Sequence, residues 1–120
     1  MSPFKIALDA IAGRVPQTRI AIVMGVDGIP VEKLVRGDFA QLETIAAEYT
    51  TLLRASVSAA ADTGLGELTE LAVMTDRMVT LLMGITPEYF LFAAFEPDAL
   101  VGRARFAMRL ACFELKRELE

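Results

Sequence analysis

The sequence has no histidine and a single cysteine, Cys112. Without histidine it lacks the commonest general base and the commonest metal ligand. A Ser-His-Asp or Cys-His arrangement is therefore impossible, and a structural zinc site has too few soft ligands. One cysteine forms no intramolecular disulfide, which suits a reducing compartment. Phosphate-cradling glycine motifs are missing too: Gly64-Leu65-Gly66 is a lone pair of glycines and reads as a helix stop. Positive charge is in short supply, with 12 Lys and Arg against 16 Asp and Glu and a net charge of −4. Nucleic acid is thus not expected as a ligand, since phosphate binding needs a concentrated basic field. No apolar run approaches the ~18–20 residues needed to cross a bilayer. The start, Met-Ser-Pro-Phe-Lys-Ile, is broken by charges at Lys5 and Asp9 and does not read as a secretory leader. The expectation is a cytoplasmic protein with no catalytic residue, metal or cofactor of its own.

What is abundant is apolar surface. Apolar residues make up 54% of the 120 positions, rich for one small domain spanning 1–120. Part of that surface must be exposed or covered by a partner. The longest periodic segment runs from Asp38 to Ala61. At about 100° per residue, Phe39, Leu42, Ile45, Ala46, Tyr49, Leu52, Leu53, Val57 and Ala60 share one broad stripe that must pack on the domain. The opposite side carries Ala40, Ala47, Ala55 and Ala59 among Thr44, Glu48, Thr51 and Ser58. Small residues let another backbone come close, so this helix needs two partners.

Around it the order reads α-β-β-α-β-β-β-α. Ser2-Pro3 opens a first helix with the stripe Phe4, Leu8, Ile11, Ala12 and Val15, stopped by Gly13 and Pro16. Arg19 to Gly25 is apolar almost throughout, as a strand covered on both faces must be. Asp27-Gly28 is a two-residue hairpin signal. The return strand, Ile29 to Val35, carries Pro30, Glu32 and Lys33 and suits a sheet edge. Asp38 caps the long helix. Strands follow at Glu67–Thr75, Arg77–Gly84 and Glu88–Phe95, joined by turns short enough for an antiparallel meander. The last is again apolar on both faces. A final helix begins at Pro97-Asp98 and runs to about Leu119. Its main stripe is Leu100, Val101, Ala104, Met108, Ala111, Cys112 and Leu115, while Phe106, Leu110 and Phe113 form a second patch for the first helix to cover. The fold class is α+β: a single five-stranded antiparallel sheet with helices on both faces.

Chemical constellations are few. Glu67 and Glu70 fall on opposite strand faces, Asp27 serves the turn, and Cys112 lies on the apolar stripe as a buried thiol. Arg105, Arg109 and Lys116, with Arg103 nearby, line one side of the last helix. They form either a solvated face or a docking surface for an acidic partner or membrane headgroups. The methionines read as core filling. Glu67–Thr75 lacks proline and alternates weakly, which leaves a sheet edge open to a second copy of the chain. The edge and the alanine side of the long helix point to one dimer interface: Ala40, Ala47, Thr51, Ala55, Ala59, Thr69, Leu71 and Val73.

The run Ile20-Ala-Ile-Val-Met-Gly-Val-Asp-Gly28, the helix at 38–61 and the meander ending in Tyr89-Phe-Leu-Phe resemble the Roadblock/dynein light chain family. The likeness extends from about Phe4 to Leu119 and is closest to short bacterial members of the MglB type. It implies a roadblock/profilin-like fold and a homodimer with a ten-stranded sheet in which the long helices pair. Members of the family bind small Ras-like GTPases and regulate their nucleotide state, or act as scaffolds. In the MglB type the dimer remodels the GTPase, which supplies its own catalytic groups. The partner surface implied lies around Glu43, Thr44, Glu48, Arg54 and Ser58, with Ala47, Thr51 and Ala55 beside them. Two other functions fit the residues: a protein-interaction scaffold with no effect on a nucleotide cycle, and a small-molecule sensor with a pocket beside the sheet.

Overall fold

Residues 2–120 are described by the structure, a computed structural model. Helix α1 (Pro3–Arg14) starts as its sequence dictates: the Ser2 hydroxyl accepts the Phe4 N–H at 3.2 Å, with Pro3 in the first turn. Strands β1 (Thr18–Gly25) and β2 (Pro30–Val35) follow, then α2 (Leu42–Asp62). Strands β3 (Glu70–Met74), β4 (Val79–Thr86) and β5 (Tyr89–Phe95) precede the last helix, α3 (Val101–Leu119). The five strands form one sheet in the order β2-β1-β5-β4-β3, antiparallel at every pairing. The return strand and β3 are the two edges, as their residues predict. Three inner strands rather than two are covered on both faces, because the first five residues of β4 are also buried.

Two cores lie on opposite faces of this sheet. On one, Ala21, Val23, Leu81, Met83, Leu91, Ala93 and Phe95 meet α1 and α3 through Leu8, Ile11, Ala104, Met108 and Leu115. On the other, Ile20, Ile22, Met24, Leu82, Phe90 and Phe92 meet α2. Alternation along each strand sends successive side chains to opposite faces, so β1 and β5 supply both layers.

The boundaries shift where distant contacts decide them. The long helix starts at Leu42, not Asp38, and Gln41 precedes it without a side-chain cap. The reason is Arg19: its Nε donates to the Arg36 carbonyl at 2.7 Å, its Nη1 pairs with Glu96 Oε1 at 2.9 Å, and its guanidinium lies 5.3 Å from the Phe39 ring centre. That grip holds 36–39 against the sheet, and Phe39 packs on the second core as a loop residue. Asp27-Gly28 is not a two-residue turn either. Only Gly28 takes positive φ, at +89°. Its N–H donates to the Gly25 carbonyl and the Gly25 N–H donates to Ile29, so the loop is Val26-Asp27-Gly28. Asp27 avoids the left-handed region and instead accepts the Ile29 N–H at 3.0 Å. Such a three-residue loop, closed by a left-handed glycine, is the next favoured hairpin.

Strand β3 is shorter than the stretch from Glu67 predicts, since Gly64 and Gly66 both take positive φ and carry the chain away before pairing begins. Pro97 and Asp98 form a turn, with Ala99 N–H donating to Glu96, and α3 starts only at Val101. Met24, Met83 and Met108 fill the core, whereas Met74 is half exposed on the β3 edge.

Candidate interaction surfaces

Helix α2 is attached to the sheet by few residues. Of its 21 positions only Thr50 and Leu53 are fully buried. Leu42, Ile45, Ala46 and Tyr49 are partly covered, and the Tyr49 ring tilts against Phe92 with centroids 5.5 Å apart. Leu52 and Val57, read from the sequence as facing the domain, are 41% and 47% exposed. They lie on the flanks of α2, because a helix resting on a sheet covers a narrower arc than this apolar stripe.

The outward line of α2 collects most of the residues expected to contact partners. Thr44, Ala47, Glu48, Thr51, Ala55, Ser58 and Ala59 are all exposed, and helical spacing puts Glu43 and Arg54 on one flank of that line. Arg54 makes no ion pair among the described residues. This face is less polar than its composition suggests. The Thr51 hydroxyl donates to the Ala47 carbonyl at 3.1 Å, which turns it onto the helix's own backbone. Ala40 is exposed but sits in the turn before α2, off the line of small residues. On the edge strand, Leu71 packs toward the α2 core and Val73 shares its face by alternation; Thr69 is exposed and precedes the strand.

The arginines of α3 do not form one solvated face. The Arg105 Nε donates to both carboxylate oxygens of Glu70 at 2.8 and 2.9 Å, tying α3 to β3. That hydrogen bonding, then the Glu70 charge, raises the guanidinium's already high pKa. Glu67, outside the strand, is exposed and forms no carboxylate pair with Glu70. Burial pushes the Cys112 thiol up to about 12, which makes it a poor nucleophile. Among the described residues no group of three His, Cys, Asp or Glu side chains is arranged to hold a metal. Among the same residues no helix is long and apolar enough to cross a membrane.

Residues Phe106 and Phe113 depart most from expectation. Helix α1 covers the Ala107 and Ala111 side of α3, and leaves these two rings 56% and 64% exposed. Between the helices runs an open groove of about 400 Å³, lined by Ile6, Ala10 and Arg14 on α1 and by Leu110, Glu114 and Glu118 on α3. The wheel position of the two rings gave the signal; only the contacts of α1 show that it covers the Ala107–Ala111 side of α3 instead. A smaller hollow of about 190 Å³ lies beside Glu70, Arg109 and Cys112. The Arg19 cluster was invisible in sequence, because its partners lie 17 and 77 positions away.

These layers are those of known proteins. MglC from Myxococcus xanthus is 26% identical, with a TM-score of 0.72 over 98% of this chain and 99% of that one. Myxococcus xanthus MglB is 12% identical, with a TM-score of 0.89 over 99% and 96%. An MglB structure with a tetrameric arrangement is 17% identical, with a TM-score of 0.84 over 98% and 90%. Comparison with curated proteins finds no match. The sequence model of the Roadblock/LC7 domain matches residues 8–95, and that family is not an enzymatic one. With most of its length matched, the chain belongs to the Roadblock/LC7 domain family.

Proposed function

We propose that this chain forms a homodimer through the outer face of α2 and the β3 edge, and that the dimer regulates or anchors a small Ras-like GTPase in the bacterial cytoplasm. The observation that carries the reading is the exposed line Thr44, Ala47, Thr51, Ala55 and Ser58 on α2, together with the free outer edge of β3. Small side chains allow axes to approach to about 8–10 Å. An edge strand free of proline accepts a symmetry mate, and the two sheets then join into one of ten strands. MglB, whose fold this chain shares, has been seen in a tetrameric arrangement, which supports self-association. The interface would comprise Ala47, Thr51, Ala55 and Ala59 with Thr69, Leu71 and Val73; Ala40 would flank it. Glu43, Thr44, Glu48, Arg54 and Ser58 would meet the GTPase.

Such a dimer works by contact, with the chemistry left to the GTPase. Arg54 has the reach of an inserted guanidinium, the device that stabilises charge in phosphoryl transfer. The test is sedimentation of the wild type and of Ala47→Arg/Ala55→Arg at micromolar concentration, followed by hydrolysis assays with the Ras-like GTPase encoded nearest the gene. Dimer for the first, monomer for the second and a changed hydrolysis rate support the proposal. A wild-type monomer overturns the dimer, and binding without a rate change leaves a scaffold. Full stimulation by Arg54→Ala removes the inserted arginine. A sensor role has less support, because the groove of about 400 Å³ is open and few polar groups converge in it.

A further inference from the structure

The α1/α3 groove lies on the sheet face opposite α2, so it is a separate surface from the proposed dimer interface. Its rim is apolar: Ile6 is 52% exposed and lines it with Leu110, and Phe106, 56% exposed, stands beside Arg14 at one end. Its charge is polarised along its length. At one end the Arg14 guanidinium stands 6.0 Å from the Phe106 ring centre, and Arg103 is exposed one turn earlier on the same side of α3. Neither arginine has an ion-pair partner among the described residues. Of the three arginines between Val101 and Phe113, only Arg103 serves this end, since Arg105 is paired with Glu70 and Arg109 lines the smaller hollow. At the other end the groove is lined by Glu114 and Glu118, beside Pro3 at the start of α1; Glu114 pairs with Arg117 at 4.0 Å, and Glu118 has no ion-pair partner among the described residues. Helix α1 sets the length, since 12 residues rise about 18 Å, or some three turns.

We propose that this groove docks an amphipathic helix of a partner protein, about three turns long, with acidic residues at the Arg14–Arg103 end and basic residues at the Glu114–Glu118 end. Apolar side chains spaced i, i+3, i+4 and i+7 on that helix fill the channel between Ile6, Ala10, Leu110 and Phe106. Its dipole fits the same polarity when its C-terminus lies at Arg14. A flat anionic membrane fits less well: the groove is concave, and Glu114 and Glu118 in its lining repel an anionic surface.

The probe is a synthetic helical peptide with a leucine stripe, lysines in its first half and glutamates in its second. Two comparison peptides accompany it, one with lysine in place of every glutamate and one of the same composition with the stripe scrambled. Binding is followed by fluorescence anisotropy and by amide chemical shifts of full-length protein. The polarised peptide is expected to bind, shifting residues of α1 and α3, with affinity at least about tenfold above that of either comparison peptide. Arg14→Glu/Arg103→Glu should lose about tenfold for the polarised peptide and gain for the all-lysine one; Phe106→Ser, exposed and therefore still folded, should weaken both. Ala55→Arg should bind as the wild type does, so a failure of the dimer proposal leaves this result intact. Equal binding of all three peptides, no shifts in α1 and α3, or arginine-dependent binding to phosphatidylserine vesicles without peptide binding would each overturn the proposal.

Discussion

Removing the Leu53 side chain tests how α2 is held. Leu53 is 5% exposed and is the one large side chain of α2 that is fully buried. Leu→Ala in a core costs about 2–5 kcal/mol, and a site one layer deep between helix and sheet can partly collapse, so we expect about 2–3 kcal/mol. A domain of 120 residues has on the order of 10 kcal/mol of stability, so the variant stays folded with a Tm lower by roughly 10 °C. The matching change at Leu52, 41% exposed in the protomer, should cost less than about 1 kcal/mol in dilute monomer. If α2 pairs with a second copy, Leu52 and Val57 become buried, and each then adds about 1 kcal/mol to association. Thermal melts by circular dichroism read the first quantity. Hydrogen exchange of peptides covering 42–62, at low and high micromolar protein, reads the second. Amides of α2 should slow as concentration rises while those of α3 do not, because only α2 gains a partner. A Tm within about 2 °C of wild type for Leu53→Ala, or α2 exchange independent of concentration, would refute this account.

Gly37 has φ of +109° and faces the Arg19 guanidinium, so Gly37→Ala should cost about 1–2 kcal/mol by chemical denaturation. Gly102 opens α3 with free space around it, and Gly102→Ala should instead stabilise by about 0.5–1 kcal/mol in the same assay. For Cys112, the folded thiol titrates at about 12 against 9.0 when unperturbed, so the unfolded chain loses its proton first. Stability should therefore fall as pH rises from about 9 to about 12, a slope that Cys112→Ala removes; thiol labelling at pH near 8 should be slow until denaturant is added.

Most of the architecture was legible because its signals are local. Two all-apolar runs marked β1 and β5, proline and charge marked β2 as an edge, and Asp27-Gly28 marked a turn whose length alone was misjudged. Helical spacing also separated the inner and outer faces of α2. What escaped depended on contacts between residues far apart in the chain. Arg19 reaches the Arg36 carbonyl and Glu96, and so decides where α2 begins. Phe106, Leu110 and Phe113 share a helix face, but the periodicity of α3 says nothing about which part of it α1 covers. For Leu52 and Val57, the apolar stripe predicts contact with something; it does not say whether that is the same chain.

Because only Thr50 and Leu53 of α2 are sealed inside the protomer, nearly the whole outer sequence of that helix can drift without unfolding the domain. Selection on who associates with whom is then uncoupled from selection on the fold. A duplicated copy could change its pairing, from self to sibling, through a few substitutions on one helix face while the sheet behind it stays as it was.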